Sequence, residues 1–152
     1  MDMKDAVNWN RSVGLWGARL VVGCLTFELG MHKLFIAGLA SQMKWFEALA
    51  AWFPWPFLWA VNIYCGVVEF IAGLMLVVGI KRDWALWAIL SVLVIVNFGH
   101  GLEHMVWDIQ QLVFRLSMIV LLLLLPAEWD LFRLDRWSEL KTAFRGKSGG
   151  AQ

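Results

Sequence analysis

Several acidic, basic and imidazole side chains interrupt long apolar runs of this sequence. Glu28 and His32 are four residues apart, and this separation places both side chains on one face of a helix. Glu69 interrupts a second apolar run, and Arg115 interrupts the last one. Histidine exchanges protons near neutral pH, and ionisable groups inside a membrane-spanning segment are costly and usually functional. These residues therefore predict a site for proton exchange or for a polar ligand.

The third apolar run ends in a cluster of two histidines and a glutamate. His100, Glu103 and His104 share a helical face, and imidazole with carboxylate suits zinc, copper or iron. The string also matches the HxxEH pattern of one zinc-protease class, but five residues without a surrounding catalytic scaffold do not indicate a protease. A metal site built from His32, His100, His104 and Glu103 stays an alternative to histidines that only pack and form hydrogen bonds.

The polar residues collect in one half of the predicted bundle when each run is centred on the bilayer. Each ionisable group there costs on the order of 2.5–3.5 kcal/mol, so we expect these groups to face inward and find partners. Glu69 and Arg115 lie at similar depth and are predicted to form a salt bridge. This salt bridge would either fix the register of the helices or form the inner wall of a pocket. The residues at this level are Glu28, His32, Asn62, Glu69, Asn97, His100, Glu103, His104, Asp108, Gln110, Gln111 and Arg115.

The composition is that of a membrane protein. Of the 152 residues, 61% are hydrophobic and 16% are charged, whereas soluble domains average roughly 45–50% and about 25%. Four runs are long enough to cross about 30 Å of hydrocarbon as helices. We therefore predict an all-α bundle of four transmembrane helices. The runs are Trp16–Phe35, Phe57–Gly79, Trp84–His104 and Trp107–Leu125.

Two further stretches are typical of short helices at the membrane interface. Gln42–Phe53, in the first loop, should place Trp45, Leu49, Trp52 and Phe53 on one face. Trp129–Phe144, after the fourth run, combines aromatic and basic residues in the same way. We expect a single transmembrane domain over residues 1–145 and a disordered tail over 146–152, with the first run retained rather than removed as a signal peptide.

Charge excludes one class of function and predicts an orientation. The net charge is +1, and no run of Lys or Arg with interleaved aromatic residues is present, so nucleic-acid binding is excluded. Lys and Arg concentrate in the N-terminal segment, the second loop and the C-terminal segment, so both termini should be cytoplasmic.

The two cysteines lie inside apolar runs without metal-type spacing and are expected to be packed or lipid-facing.

Three short motifs mark the first, second and fourth helices. The first helix ends with Gly30–Phe35 (GMHKLF), the second contains Val68–Gly79 (VEFIAGLMLVVG), and Phe132–Arg136 (FRLDR) follow the fourth. In order and spacing, over roughly residues 14–137, these motifs resemble the DoxX family of small four-helix bacterial membrane proteins.

The resemblance implies a membrane subunit associated with redox chemistry. Relatives are linked to thiosulfate:quinone oxidoreduction, to terminal quinol oxidase systems and to oxidative-stress complexes. The resemblance carries over Lys33 and Glu69 as functional residues, and His100 matches a histidine near the end of the third helix. His32 stands where the family often has a small residue, and Glu28 and Arg115 look like additions particular to this chain.

We therefore expect an inner-membrane redox-associated subunit with a pocket open to the outer leaflet. A quinone or a small sulfur species suits this pocket better than a metal ion does. No flavin, haem or iron–sulfur motif is visible in the sequence, so electrons should come from a partner or from a bound quinone. The predicted catalytic residues are His32, Lys33, Glu69 and His100, and the predicted substrate-binding residues are Glu28, Asn62, Asn97 and Arg115.

Two alternatives remain open beside this expectation. The chain is either a non-catalytic accessory subunit, packed against a larger membrane complex or in a homo-oligomer, or a small carrier. Four helices with short loops are few for alternating access, which disfavours the carrier.

Overall fold

The computed structural model describes residues 3–103 and 109–136, and in these ranges the chain forms helices and short connections between them. The α-helices are α1 (Met3–Met31), α2 (Leu39–Gln42), α3 (Trp55–Val78), α4 (Arg82–Glu103) and α5 (Ile109–Leu124). A π-helical turn over His32–Ile36 continues α1, and 3₁₀ turns cover Met43–Phe46, Ala48–Ala51 and Ala127–Trp129.

Three helical stretches are long and apolar enough to cross a membrane, over Trp9–Ile36, Trp55–Val78 and Arg82–Leu102. α5 has 16 residues, with an apolar part over Leu112–Leu124, so it is about 24 Å long at 1.5 Å per residue. The predicted all-α fold is confirmed as three long apolar helices and one shorter one. This arrangement fits four passes through a bilayer. The first two residues of the predicted fourth run lie outside the described ranges.

The long helices alternate in direction. α1 and α4 begin, and α3 and α5 end, at what we call the near end of the bundle, around Gly79 and Leu125. The opposite end, which we call the far end, holds the π-helical turn and the loop over residues 37–54.

Proline and glycine set the limits of α3, as the sequence indicates. Pro54 is extended, and Pro56 lies in the first turn, where its missing N–H leaves no helical hydrogen bond unmade. Gly79 ends the helix in the left-handed region at φ 79°, and its N–H donates to the Met75 carbonyl. Residues 79–81 then turn the chain into α4.

α1 and α3 form the most extensive helix pair, and glycines make this possible. A Cβ atom on Gly30 would overlap the backbone of Phe70, and one on Gly73 would overlap the backbone of Phe27. The two phenylalanine rings pack beside this contact with centroids 5.1 Å apart. In lipid, apolar burial gives little drive for helix association, so such close packing has to fix the arrangement.

At the near end, Arg19 fastens the segment after α5 onto α1 and α3. Its Nε lies 2.8 Å from Asp130 Oδ2, and both side chains are 1% exposed. The terminal nitrogens donate to the carbonyl oxygens of Leu76, Val77 and Phe132. This buried cation therefore has a counter-ion and three further acceptors, which satisfies most of its donors.

The first loop contains short helical turns, but its side chains do not share one face. Leu49 is buried, whereas Trp45 and Trp52 are among the most exposed side chains described. The segment is broken into separate turns, so the regular spacing assumed for Gln42–Phe53 does not hold. The tryptophans point away from the bundle, as side chains at a membrane interface do.

The described part of Trp129–Phe144 also differs from a helix lying flat on a membrane. Asp130 is buried, and the Ser12 hydroxyl donates to the Trp129 carbonyl at 2.6 Å. The segment is therefore held against α1. Residues 137–152, which include the predicted tail, lie outside the described ranges.

Candidate functional site

Polar side chains lie on the buried stripe of α3. Asn62, Cys65 and Glu69 are three and four residues apart, so they share one helix face. Asn62 Nδ2 donates to the Leu39 carbonyl at 2.9 Å and ties the far-end loop to α3. Among the described side chains of the long helices, Glu69 is the buried carboxylate. A charge at this depth needs a partner.

Lys33 supplies that partner from the π-helical turn. Its Nζ lies 2.7 Å from Glu69 Oε2, with the two side chains 21% and 7% exposed. The distance is that of a close ion pair, so charge attraction holds the contact. π-Helical turns redirect side chains and are frequent at functional sites. This turn and the glycine contacts together bring a cation of α1 against an acid of α3.

Glu69 also faces a small cavity between α1, α4 and α5. The cavity has a volume of about 20 Å³, which is room for about one water molecule. Two further polar side chains line it, Thr26 from α1 and Arg115 from α5. The rest of the lining is apolar and consists of Val22, Leu25, Leu29, Ile89, Val92, Leu93, Phe114 and Ile119.

The predicted salt bridge between Glu69 and Arg115 is not formed. Glu69 pairs with Lys33, and Arg115 has no ion-pair or hydrogen-bond partner among the described residues. Arg115 is nevertheless close enough to interact electrostatically with Glu69. The π-helical turn brings Lys33 within contact distance of Glu69, so the charge of the Glu69 carboxylate is balanced without Arg115. Arg115 is left half-buried at the cavity.

A family match covers the helices that carry this ion pair. The sequence model of the DoxX family matches residues 14–101, more than half of the 152-residue chain. The chain belongs to the DoxX family. No curated protein and no solved structure showed significant similarity to it. In this DoxX protein, Lys33 and Glu69 lie inside the matched region, while Arg115 and the Phe132–Arg136 motif lie beyond it.

Glu69 lines the cavity of this DoxX protein and Lys33 pairs with Glu69, whereas the two other predicted catalytic residues belong to neither the cavity lining nor this ion pair. His32 is exposed on the π-helical turn, although it precedes Lys33 in sequence. His100 is half-buried on α4 and is not part of the cavity lining. Adjacent residues of a helical turn point in different directions, so the exposure of His32 follows from the inward position of Lys33.

The predicted substrate-binding residues also separate. Arg115 lines the cavity, and Asn62 is buried but already bonded to the far-end loop. Glu28 and Asn97 are exposed on the surface of the bundle. The expectation that every polar group in the spanning helices faces inward is therefore wrong for these two residues, because equal depth does not fix the direction in which a side chain points.

No group of three or more metal-binding side chains occurs in the part of this DoxX protein that the structure describes. Of the four candidates, His32 is exposed and His100 is half-buried. The Glu103 side chain and His104 lie outside the described part. A metal site therefore stays a prediction.

Two residues of the site were not singled out from the sequence. Thr26 lines the cavity, and its hydroxyl donates to the Val22 carbonyl at 2.7 Å. Cys65 lies close enough to Lys33 and Glu69 to interact with both charges. Spacing is the signal that marks Cys65, because it is four residues before Glu69 on the same helix face.

Proposed function

We propose that this protein is a redox-associated subunit of the bacterial inner membrane, in which the cavity beside Glu69 and Arg115 receives the polar end of a quinone or another small redox-active molecule. One observation carries the proposal. The buried Glu69 carboxylate already has a counter-ion in Lys33, yet it faces a cavity that holds a second cation. A structural ion pair needs one cation, and the second has no ion-pair partner among the described residues, so we assign it to a ligand.

The chemistry of Arg115 suits a ligand that carries acceptor oxygens. A guanidinium only donates hydrogen bonds, and it does so from a rigid planar fork. A hydrogen bond to a charged group contributes about 1.5–3 kcal/mol. Quinone carbonyls and small oxyanions offer such oxygens, and the apolar walls around Leu25 and Phe114 match a ring or an alkyl chain.

The Arg115 guanidinium fits a quinone carbonyl as a hydrogen-bond donor. The cavity volume of about 20 Å³, however, holds only about one water molecule. Side chains at the cavity must therefore move before a ring enters. A bound quinone would supply two-electron chemistry, with electrons from a partner subunit. The part played by this chain is to orient the ligand oxygen at Arg115 and to hold or release a proton at Glu69.

Ligand binding to the full-length protein in lipid nanodiscs tests the proposal. An alkyl-tailed benzoquinone quenches tryptophan fluorescence, and 11 tryptophans report it. Arg115→Gln should weaken binding by about tenfold or more, the loss of one charged hydrogen bond. Ser117→Ala, on the exposed face of the same helix, should bind like the wild type. Equal affinity of Arg115→Gln and wild type, or no saturable binding by the wild type, would refute the proposal.

A second candidate function is that of an accessory subunit, and the outward polar residues favour it. Glu28 and Asn97 are exposed at membrane depth, where contact with lipid is costly. A partner complex or a second copy of the chain that covers them would remove this cost. Glu28→Leu and Asn97→Leu should then release the partner during mild detergent extraction. If both variants keep the same assembly as the wild type, this candidate fails.

The orientation that we propose places both termini in the cytoplasm. Basic side chains concentrate at the near end, and cytoplasmic loops carry an excess of Lys and Arg. The near-end residues are Arg11, Arg19, Lys81, Arg82, Arg133 and Arg136. Only Lys33 and Lys44 occupy the far end among the described residues, so the far end would face the outside.

A further inference from the structure

We infer that the ligand of the Glu69 cavity enters sideways from the hydrocarbon core, through a portal between α1 and α5 formed by Leu25 and Phe114, and is therefore an amphiphile dissolved in the bilayer. The identity of its polar contacts rests on the proposed function. The route rests on the packing of the helices alone.

The cavity is closed on one side and thin-walled on the other. Its α4 wall consists of buried side chains such as Ile89 and Val92. On the opposite side, Leu25 is 40% exposed and Phe114 is 50% exposed, although both line the cavity. Each of these side chains contacts the cavity on one side and the surroundings of the protein on the other. At these two positions, the wall of the cavity is therefore a single side chain thick.

The helix that carries Phe114 is loosely attached to its neighbour. α1 is clamped to α3 by the glycine contacts, whereas α5 touches α1 far less. At the near end, Arg82 holds the end of α5 through a hydrogen bond from its Nη2 to the Leu125 carbonyl, 2.8 Å long. Exposed side chains change rotamer within nanoseconds, so Leu25 and Phe114 can open the wall without movement of the backbone.

The depth of the portal decides which ligands can use it. Leu25 lies near the middle of the spanning stretch Trp9–Ile36, so the wall faces hydrocarbon rather than water. A molecule that reaches Arg115 by this route needs an apolar tail that dissolves in lipid and a small head with acceptor oxygens. The tail would then lie across Leu25 and Phe114, outside the cavity.

Thiol labelling tests the route without a redox ligand. Thr26→Cys places a thiol at the cavity, in a Cys24→Ala background that removes the exposed native thiol. In nanodiscs, we expect a lipid-soluble alkyl maleimide to label this variant at least about tenfold faster than the Cys24→Ala background. A charged, water-soluble maleimide should label it no faster than that background.

Two tryptophan substitutions show whether the reagent passes Leu25. Leu25→Trp, added to the Thr26→Cys protein, should slow labelling by about tenfold because a larger side chain fills the portal. Val21→Trp, one turn earlier on the same exposed face and absent from the cavity lining, should change the rate less than about twofold. Equal slowing by both, equally fast reaction of the charged reagent, or no reaction with the alkyl reagent would overturn the portal.

Binding of the tailed quinone links the route to the ligand. Leu25→Trp should slow association of the alkyl-tailed benzoquinone by about tenfold, and the same headgroup without a tail should bind at least about tenfold more weakly to the wild type. A failed labelling experiment rejects the portal and leaves the Arg115 test intact. A wild type that is labelled as expected but binds no quinone rejects the proposed function and leaves the portal standing.

Discussion

A buried ion pair such as Lys33–Glu69 is poor evidence for a gain in folding stability, but good evidence that the fold holds its two side chains in fixed positions. Desolvation of both charges offsets most of their attraction, and apolar replacements of a whole buried pair are often neutral or stabilising by about 1–4 kcal/mol. Removal of a single partner is different, because it leaves an uncompensated charge. The pair is therefore explained better by the position that it gives Glu69 at the cavity than by a gain in folding free energy.

This asymmetry predicts the result of a double-mutant cycle. Lys33→Met should lower the free energy of unfolding by about 3 kcal/mol, the low end of the range for broken buried pairs, because Lys33 is 21% exposed. The double variant Lys33→Met/Glu69→Gln should regain most of that loss, since no charge is then stranded. Reversible unfolding in mixed detergent micelles measures both.

Lys44→Met is the matched control for this cycle, because Lys44 is exposed in the far-end loop. It should change stability by less than about 0.5 kcal/mol. If the losses from Lys33→Met and Glu69→Gln simply add in the double variant, the two side chains are not coupled and the pair does not exist in the membrane.

At the scale of elements, glycine contacts decide whether Lys33 can reach Glu69. The π-helical turn begins immediately after Met31, and Gly30, one residue earlier, is in close contact with the backbone of α3. Any increase in the distance between the helices at Gly30 therefore separates the two charges. The site depends on a packing contact that has no polar atom in it.

Two alanine substitutions in α1 should therefore have opposite effects. Gly30→Ala adds a methyl group that overlaps the backbone of Phe70, so it should destabilise the fold by about 1–3 kcal/mol and weaken quinone binding. Gly17→Ala meets open space and should be neutral or stabilising by up to about 1 kcal/mol, because alanine is the better helix former. Thermal unfolding in nanodiscs compares them, and equal effects at both positions would contradict the packing argument.

The elements were largely predictable from sequence, whereas their contacts were not. Run length and the breaks at Pro54 and Gly79 give the spanning helices, because both signals are local. The partner of Glu69 is a different matter. Depth along a helix follows from counting residues, but the direction of a side chain depends on helix rotation and on the π-helical turn. Residue counting alone therefore favoured Arg115 over Lys33 as the salt-bridge partner of Glu69.

At the scale of the whole molecule, the buried Arg19 and the half-buried Arg115 show how a structural site differs from the proposed ligand site. Arg19 has Asp130 and three carbonyl oxygens as partners, so its donors are used within the fold. Arg115 has no such partners among the described residues and lies at a cavity. A search for the acid that each intramembrane cation requires would have narrowed the partner of Arg19 to the acids that follow α5 in the sequence, which are Glu128, Asp130, Asp135 and Glu139.

The distribution of charge between the two ends predicts how the molecule sits in the membrane. Lys44→Cys at the far end and Lys81→Cys at the near end, each in the Cys24→Ala background, report which side is accessible, since Cys65 is buried. In intact bacterial cells, an impermeant maleimide should label Lys44→Cys and leave Lys81→Cys unlabelled until the cells are opened. This outcome follows from the preference of Lys and Arg for the cytoplasmic side.

The reverse labelling pattern would place the far end, with the loop over residues 37–54, in the cytoplasm. The lateral portal would be unaffected, because a lipid-dissolved ligand reaches α1 and α5 from the hydrocarbon in either orientation. Orientation therefore decides which side of the membrane the far end faces, whereas the packing of α1, α3 and α5 decides how the proposed ligand reaches the cavity.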